Sequence, residues 1–137
     1  MNPDMLEAGP VGAKVLSVFD FDGTLTRHDS FVPFLKFAFG KQEFNRRMLK
    51  LALPGVRFLL RQMSRDELKA QLIRTFMTGV DKAWVQQKAE EYCKASWNKL
   101  MRPAGLQSVA DEIGSGAEVT LCSASPAIVL QPFADRL

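Results

Sequence analysis

The chain has 137 residues, 47% of them hydrophobic and 24% charged, with a formal net charge of +3. These proportions exclude a disordered chain and a disulfide scaffold, and they suit one globular domain or one domain carrying an insertion. The mild positive balance suits a small anionic substrate and makes no demand for nucleic acid.

Residues 1–13 read as a loose leader punctuated by Gly9, Pro10 and Gly12. Asp4 and Glu7 lie within it and no apolar stretch does, so it is not a signal peptide. Apolar stretches elsewhere are broken by Lys, Arg or Pro, which excludes a membrane span and predicts a cytoplasmic protein. VLSVFDF (15–21) predicts a short buried strand. Gly23 follows, where the chain can turn tightly and approach a ligand closely.

From about Ser30 to Arg102 the pattern becomes helical. Ser30 is placed to cap a first helix carrying Phe31, Phe34, Leu35 and Phe39, closed by Gly40. A second helix runs from about Gln42 to a break at Pro54–Gly55. Ser64 and Glu67 have capping-box spacing, so a third starts there and stops at Gly79. Asp81 caps a fourth, with Val85, Ala89, Tyr92 and Leu100 along one face, and Pro103 ends it. A helix over 104–113 precedes a second buried strand, AEVTLCS (117–123). The loop SASP then leads into a helix from Ala127. Two strands joined by such a crossover should lie parallel. Cys93 and Cys122 match no metal or redox spacing and are expected to be reduced and packed.

The chemistry is carried by DFDGTLT (20–26), at the carboxyl end of the first strand, where parallel sheets bind ligands. Strand alternation puts Asp20 and Asp22 on the same side, facing one cavity. Two carboxylates so close invite a cation, and Mg2+ is the hard, oxygen-seeking ion that substrate phosphate and water complete. Asp20 is then a competent nucleophile, and Asp22 can protonate the leaving oxygen and later take a proton from water. Thr24 and the amides around Gly23 can hold phosphate oxygens. The bland reading of a D-x-D pair is a solvated turn, which the full string after a strand disfavours.

DFDGTLT resembles motif I of the haloacid dehalogenase (HAD) superfamily, and TLCSASP (120–126) resembles its motif II. The combination is most similar to the phosphoserine phosphatase-like branch, subfamily IB, with a four-helix cap inserted after motif I. The resemblance implies an α/β fold: an incomplete Rossmann-like HAD core over 14–29 and 103–137, with a helical cap over 30–102. It also implies that Asp20 is the nucleophile and Asp22 the acid/base, with the Asp22 carbonyl as a second Mg2+ ligand beside Asp20. Ser123, with the Ala124 amide beside it, would bind the phosphoryl group, although Ser123 alone reads as a turn or capping residue. Asp29 stands where phosphoserine phosphatases carry a Glu that contacts the substrate amino group; alone it reads as a solvated residue near a helix start.

In that family a neutralising Lys and an acidic magnesium loop follow motif II, whereas this sequence ends at QPFADRL. The expectation is a fragment with weakly held Mg2+, little turnover and an open strand edge prone to self-association. Lys14, Lys36 and the other lysines lie upstream, in regions that do not match the position of that neutralising Lys. The reading is a HAD-type phosphatase of a small phosphomonoester; the alternatives are a non-catalytic phosphate-binding or association fragment and a HAD-type phosphotransferase.

Arg46, Arg47, Lys50, Arg57, Arg61 and Arg65 lie among apolar residues in 41–65. They read as solvated charges on amphipathic helices, or as attraction for an anionic substrate or a weak contact with an anionic membrane. His28, the only histidine, is expected to be a surface turn residue. Phe31, Phe34, Trp84 and Trp97 are expected in the core.

Overall fold

A computed structural model describes residues 15–52, 56, 60–61 and 63–137. The predicted leader, Lys14, Arg57 and the predicted break at Pro54–Gly55 lie outside the described residues. The order is strand β1 (Leu16–Asp20), a turn over Phe21–Leu25, and helices α1 (Phe31–Phe39), α2 (Lys41–Leu49), α3 (Arg65–Met77), α4 (Lys82–Leu100) and α5 (Pro103–Gly114). Strand β2 (Glu118–Cys122) and helix α6 (Ala127–Arg136) complete it.

The two strands pair in parallel, with Leu16 opposite Glu118 and Asp20 opposite Cys122. This register brings the carboxyl ends of both strands together, so the loops that follow them must face one another. The Ser17 hydroxyl donates to Glu112 Oε2 at 2.7 Å and ties β1 to α5.

Both strands were expected to be buried, and the structure corrects this. Along each, exposed and half-buried residues alternate, and Leu16 and Val18 are about 60% exposed. Only one face of the sheet is covered by the described helices. Cys93 is buried as expected, but Cys122 lies on the open face and is exposed.

Helix boundaries follow their local chemistry closely. Gly40 adopts φ 81°, a conformation that side chains resist, and closes α1. The Ser64 hydroxyl accepts from the Glu67 N–H at 3.2 Å, and Asp81 Oδ1 accepts from the Ala83 N–H at 3.3 Å. Pro103 opens α5 at a position where its missing N–H costs nothing. One cap differs from expectation. Asp29, rather than Ser30, caps α1: its Oδ2 accepts from the Val32 N–H at 3.0 Å. Ser30 instead turns its hydroxyl toward Asp22, because a charge-assisted bond outcompetes a neutral cap.

The core joins the Phe21–Leu25 turn to the helices. Phe21 and Phe133 are fully buried and meet edge to face at 5.3 Å between ring centroids. Phe34 meets Tyr92 at 5.7 Å, and Trp97 stacks on Phe133 at 6.0 Å. Phe31 and Phe34 are core as expected, while Trp84 and Trp97 pack on its margin. Truncating Phe21 or Phe133 to Ala would cost about 3–5 kcal/mol.

Helices α1–α4 leave and re-enter beside the same turn. Thr26 and Met101 form an antiparallel bridge, with the Arg27 N–H on the Leu100 carbonyl and the Arg102 N–H on the Leu25 carbonyl, both at 2.8 Å. Arg102 Nε adds a bond to the Thr26 carbonyl at 3.1 Å. The staple fixes where the helical block joins the turn. No described helix is long and apolar enough to cross a membrane.

Arg47 departs from the solvated reading. Its Nη1 donates to the Thr75 and Phe76 carbonyls at 3.2 and 3.1 Å, its Nε meets Glu43 at 2.7 Å, and its guanidinium lies 4.7 Å from the Phe39 ring centroid. It closes the carbonyl end of α3.

Candidate active site

The site grows from the turn after β1. Asp22 (φ −68°, ψ 124°) and Gly23 (φ 77°, ψ −4°) take the dihedral angles of a type II turn, which demands a residue tolerant of positive φ at its third position. Exposed Asp20, buried Phe21 and half-buried Asp22 continue the alternation of the strand, so Phe21 anchors the turn in the core between the two carboxylates.

Thr26, fully buried, holds the turn in shape. Its hydroxyl accepts from the Gly23 N–H at 2.9 Å and lies 2.6 Å from the His28 carbonyl, to which it donates. The Gly23 amide, expected to be available to phosphate, is therefore already engaged. His28 is exposed in the turn, as expected, with Nδ1 2.9 Å from the Asp29 carbonyl oxygen.

Asp22 is the centre of the site. Its Oδ1 accepts from the Ser30 N–H at 3.0 Å and the Ser30 hydroxyl at 2.6 Å. Its Oδ2 accepts from the Ser123 hydroxyl and from the Ser125 hydroxyl at 3.0 Å. Ser123 in turn accepts from the Ser125 N–H at 3.0 Å, which folds the SASP loop back on itself. Burial alone would push the Asp22 carboxyl up; the bonds from Ser123, Ser30 and Ser125 outweigh it and hold the group below its ordinary value. As it stands, Asp22 is an ionised carboxylate whose oxygens are held by hydroxyls and an amide.

Asp20 is placed differently. It is exposed, and its Oδ2 accepts from the Thr24 hydroxyl at 2.9 Å. A cavity of about 460 Å³ is lined by Asp22, Gly23, Asp29 and Ala124 from the core loops and by Arg65, Lys69 and Leu72 among residues of the α3 side. The structure thus gathers Asp22, Gly23, Asp29 and Ala124 around one space, with Ser123 bonded to Asp22. Asp20 and Thr24 form a separate pair outside that lining.

Lys69, for which the sequence predicts no role, reaches this cavity. From α3 its Nζ lies 3.2 Å from Asp29 Oδ1 and 3.9 Å from Asp22 Oδ2, and it donates to the Ser125 hydroxyl at 3.5 Å. Helix α3 carries a cation into the site from outside the two core loops.

Among the described residues, no group of three His, Cys, Asp or Glu is arranged to hold a metal ion. The donors that fit Mg2+ are the exposed Asp20 carboxylate and the Asp22 carbonyl, because the Asp22 carboxylate is taken up by hydroxyls. This meagre set suits an ion completed by phosphate and water.

The family model for haloacid dehalogenase-like hydrolases matches residues 17–137. The chain belongs to the haloacid dehalogenase-like hydrolases. Protein CicA of Caulobacter vibrioides, in strains NA1000 and CB 15, is 34% identical over 130 residues, which cover 94% of this chain and 58% of CicA. The chain therefore spans little more than half the length of these curated relatives. No solved structure matches it significantly.

In this haloacid dehalogenase-like chain, sequence reasoning missed Ser125, Thr26 and Lys69. Ser125 was within reach, since it stands in the SASP string. Ser30 was seen but given the wrong partner. Lys69 could be found only by docking, because nothing along the chain says which face of its helix meets the core loops.

Proposed function

We propose that this hydrolase is a magnesium-dependent phosphatase that acts on a small phosphomonoester through an aspartyl-phosphate at Asp20. The observation that carries the proposal is the Asp22 carboxylate, gripped on one side by Ser30 and on the other by Ser123 and Ser125. Hydroxyls on both sides of one carboxylate are also donors that an incoming phosphoryl group can use.

The chemistry assigns each residue a balanced role. An Asp20 oxygen forms a bond to phosphorus as the ester P–O bond breaks, and the leaving oxygen takes a proton from Asp22. Water then attacks phosphorus, returns a proton to Asp22 and releases inorganic phosphate from Asp20. The resting Asp22 is ionised, so it must first gain a proton. The negative charge of an arriving phosphoryl group raises its proton affinity. Ser123 and the Ala124 amide hold phosphoryl oxygens, and Thr24 orients Asp20. Mg2+, held by Asp20 and the Asp22 carbonyl, would neutralise charge on those oxygens.

Helices α1–α4 serve as a cap of the four-helix type found in subfamily IB, the phosphoserine phosphatase-like branch. They join the turn at the Thr26–Met101 staple, and they supply the α3 side of the cavity.

The test reads the first half-reaction. Incubated with acetyl phosphate and Mg2+, the chain should gain one phosphoryl group by intact mass, and Asp20→Asn should not. Labelling that persists in Asp20→Asn, or its absence from the wild-type chain, would overturn the proposal.

A further inference from the structure

The cavity between the core loops and α3 contains a cation and an anion that already satisfy one another. Asp29 has both oxygens engaged: Oδ1 lies 3.2 Å from Lys69 Nζ, and Oδ2 accepts from the Val32 N–H at 3.0 Å. The Lys69 side chain is 22% exposed and that of Asp29 38%, so the pair is shielded by the cavity walls rather than lost in bulk water. Lys69 is further anchored by the Ser125 hydroxyl and by the charge of Asp22.

We infer that Lys69 sets the substrate class of this site: its ammonium neutralises Asp29 from within, so the cavity takes a phosphomonoester whose organic part carries no amino group. This rests on the phosphatase reading above, and it departs from the amino-group contact that the phosphoserine phosphatase resemblance implied for Asp29. A substrate ammonium directed at Asp29 meets a carboxylate whose two oxygens already hold partners, with a like charge beside it. Like-charge juxtaposition is a strong device for rejecting a ligand.

The rest of the lining agrees. Val32, Leu68 and Leu72 offer apolar surface to the organic part, and Arg65 adds a second cation. Of the other two carboxylates in the lining, Asp22 is held by serine hydroxyls and Asp66 is exposed in the first turn of α3, where the helix dipole favours its charge. With three carboxylates and two cations the lining has no positive excess, so the site favours an uncharged organic group next to the phosphate.

The test compares two ligands of similar size that differ in an ammonium. Butyl phosphate, O-phosphoethanolamine and inorganic phosphate are titrated into the full chain with Mg2+, and amide shifts around Gly23, Asp29 and Ala124 are followed by NMR. Wild-type chain should bind butyl phosphate at least about tenfold more tightly than O-phosphoethanolamine. Lys69→Met should erase or reverse that preference, and Lys69→Arg should keep it. Asp29→Asn, a check independent of whether Lys69→Met folds, should widen it, because Lys69 is left without its partner. Equal affinities in the wild type, an unchanged preference in folded Lys69→Met, or a narrowed one in Asp29→Asn would overturn the inference while phosphate binding stands. If even inorganic phosphate fails to shift these amides, the phosphatase reading falls and takes the inference with it.

Discussion

Ser123 donates its hydroxyl hydrogen to the Asp22 carboxylate across 101 positions of sequence. The bond joins the loop after β1 to the loop after β2, and the parallel register of the two strands makes it geometrically available. Because Ser125 and Ser30 bond the same carboxylate, Asp22 organises the site as well as offering chemistry.

Replacing Asp22 tests that organising role. Asp22→Asn turns an acceptor-only group into one whose amide faces hydroxyl donors, leaving buried bonds unmade. A loss of about 1–3 kcal/mol in urea unfolding is expected. The acid limb of stability should change as well. Asp22 is depressed in the folded chain, so its contribution is present above the ordinary Asp value of about 4 and is lost as pH falls through the lower folded value. Asp22→Asn should remove that part of the pH dependence.

Thr26→Val keeps the shape of a buried side chain and removes the hydroxyl that meets the Gly23 N–H and the His28 carbonyl. The expected cost is about 1–3 kcal/mol, with large amide shifts at Gly23 by NMR. Thr26→Ser should restore most of it.

Arg47→Lys keeps the charge but cannot reach the Thr75 and Phe76 carbonyls while lying over Phe39. Thermal unfolding should report a loss of about 1–2 kcal/mol. Lys41→Arg, at an exposed position of the same helix, should leave stability nearly unchanged.

Tyr92 is the only tyrosine, so its ionisation can be followed by ultraviolet absorbance alone. Burial, reinforced by the negative charges of Asp29 and Asp22, pushes its phenol up to about 12. A raised phenol is a stabilising feature below its unfolded value. That contribution should therefore be intact below about pH 10 and be lost as pH rises toward the folded value. Asp29→Asn should lower the midpoint.

Much of the fold was legible in sequence because its signals are local. The caps at Ser64 and Asp81, the stop at Gly40 and the end of the fourth helix before Pro103 each depend on residues within one turn, and each stands where local chemistry puts it. Burial of the strands was not legible. Apolar content announces a strand, but whether Leu16 and Val18 are covered depends on what packs against the sheet.

Sequence alone determined a parallel α/β element with Asp20 and Asp22 at its carboxyl end and a serine loop to answer them, because strand period, turn chemistry and crossover topology are properties of short segments and their order. Only the tertiary structure decided that Asp22 faces that serine loop while Asp20 pairs with Thr24, that the Gly23 amide is already engaged, and that Lys69 reaches Asp29 from a distant helix. Those outcomes follow from how helices dock and which hydrogen bonds compete, and such competition has no period that can be read along a chain.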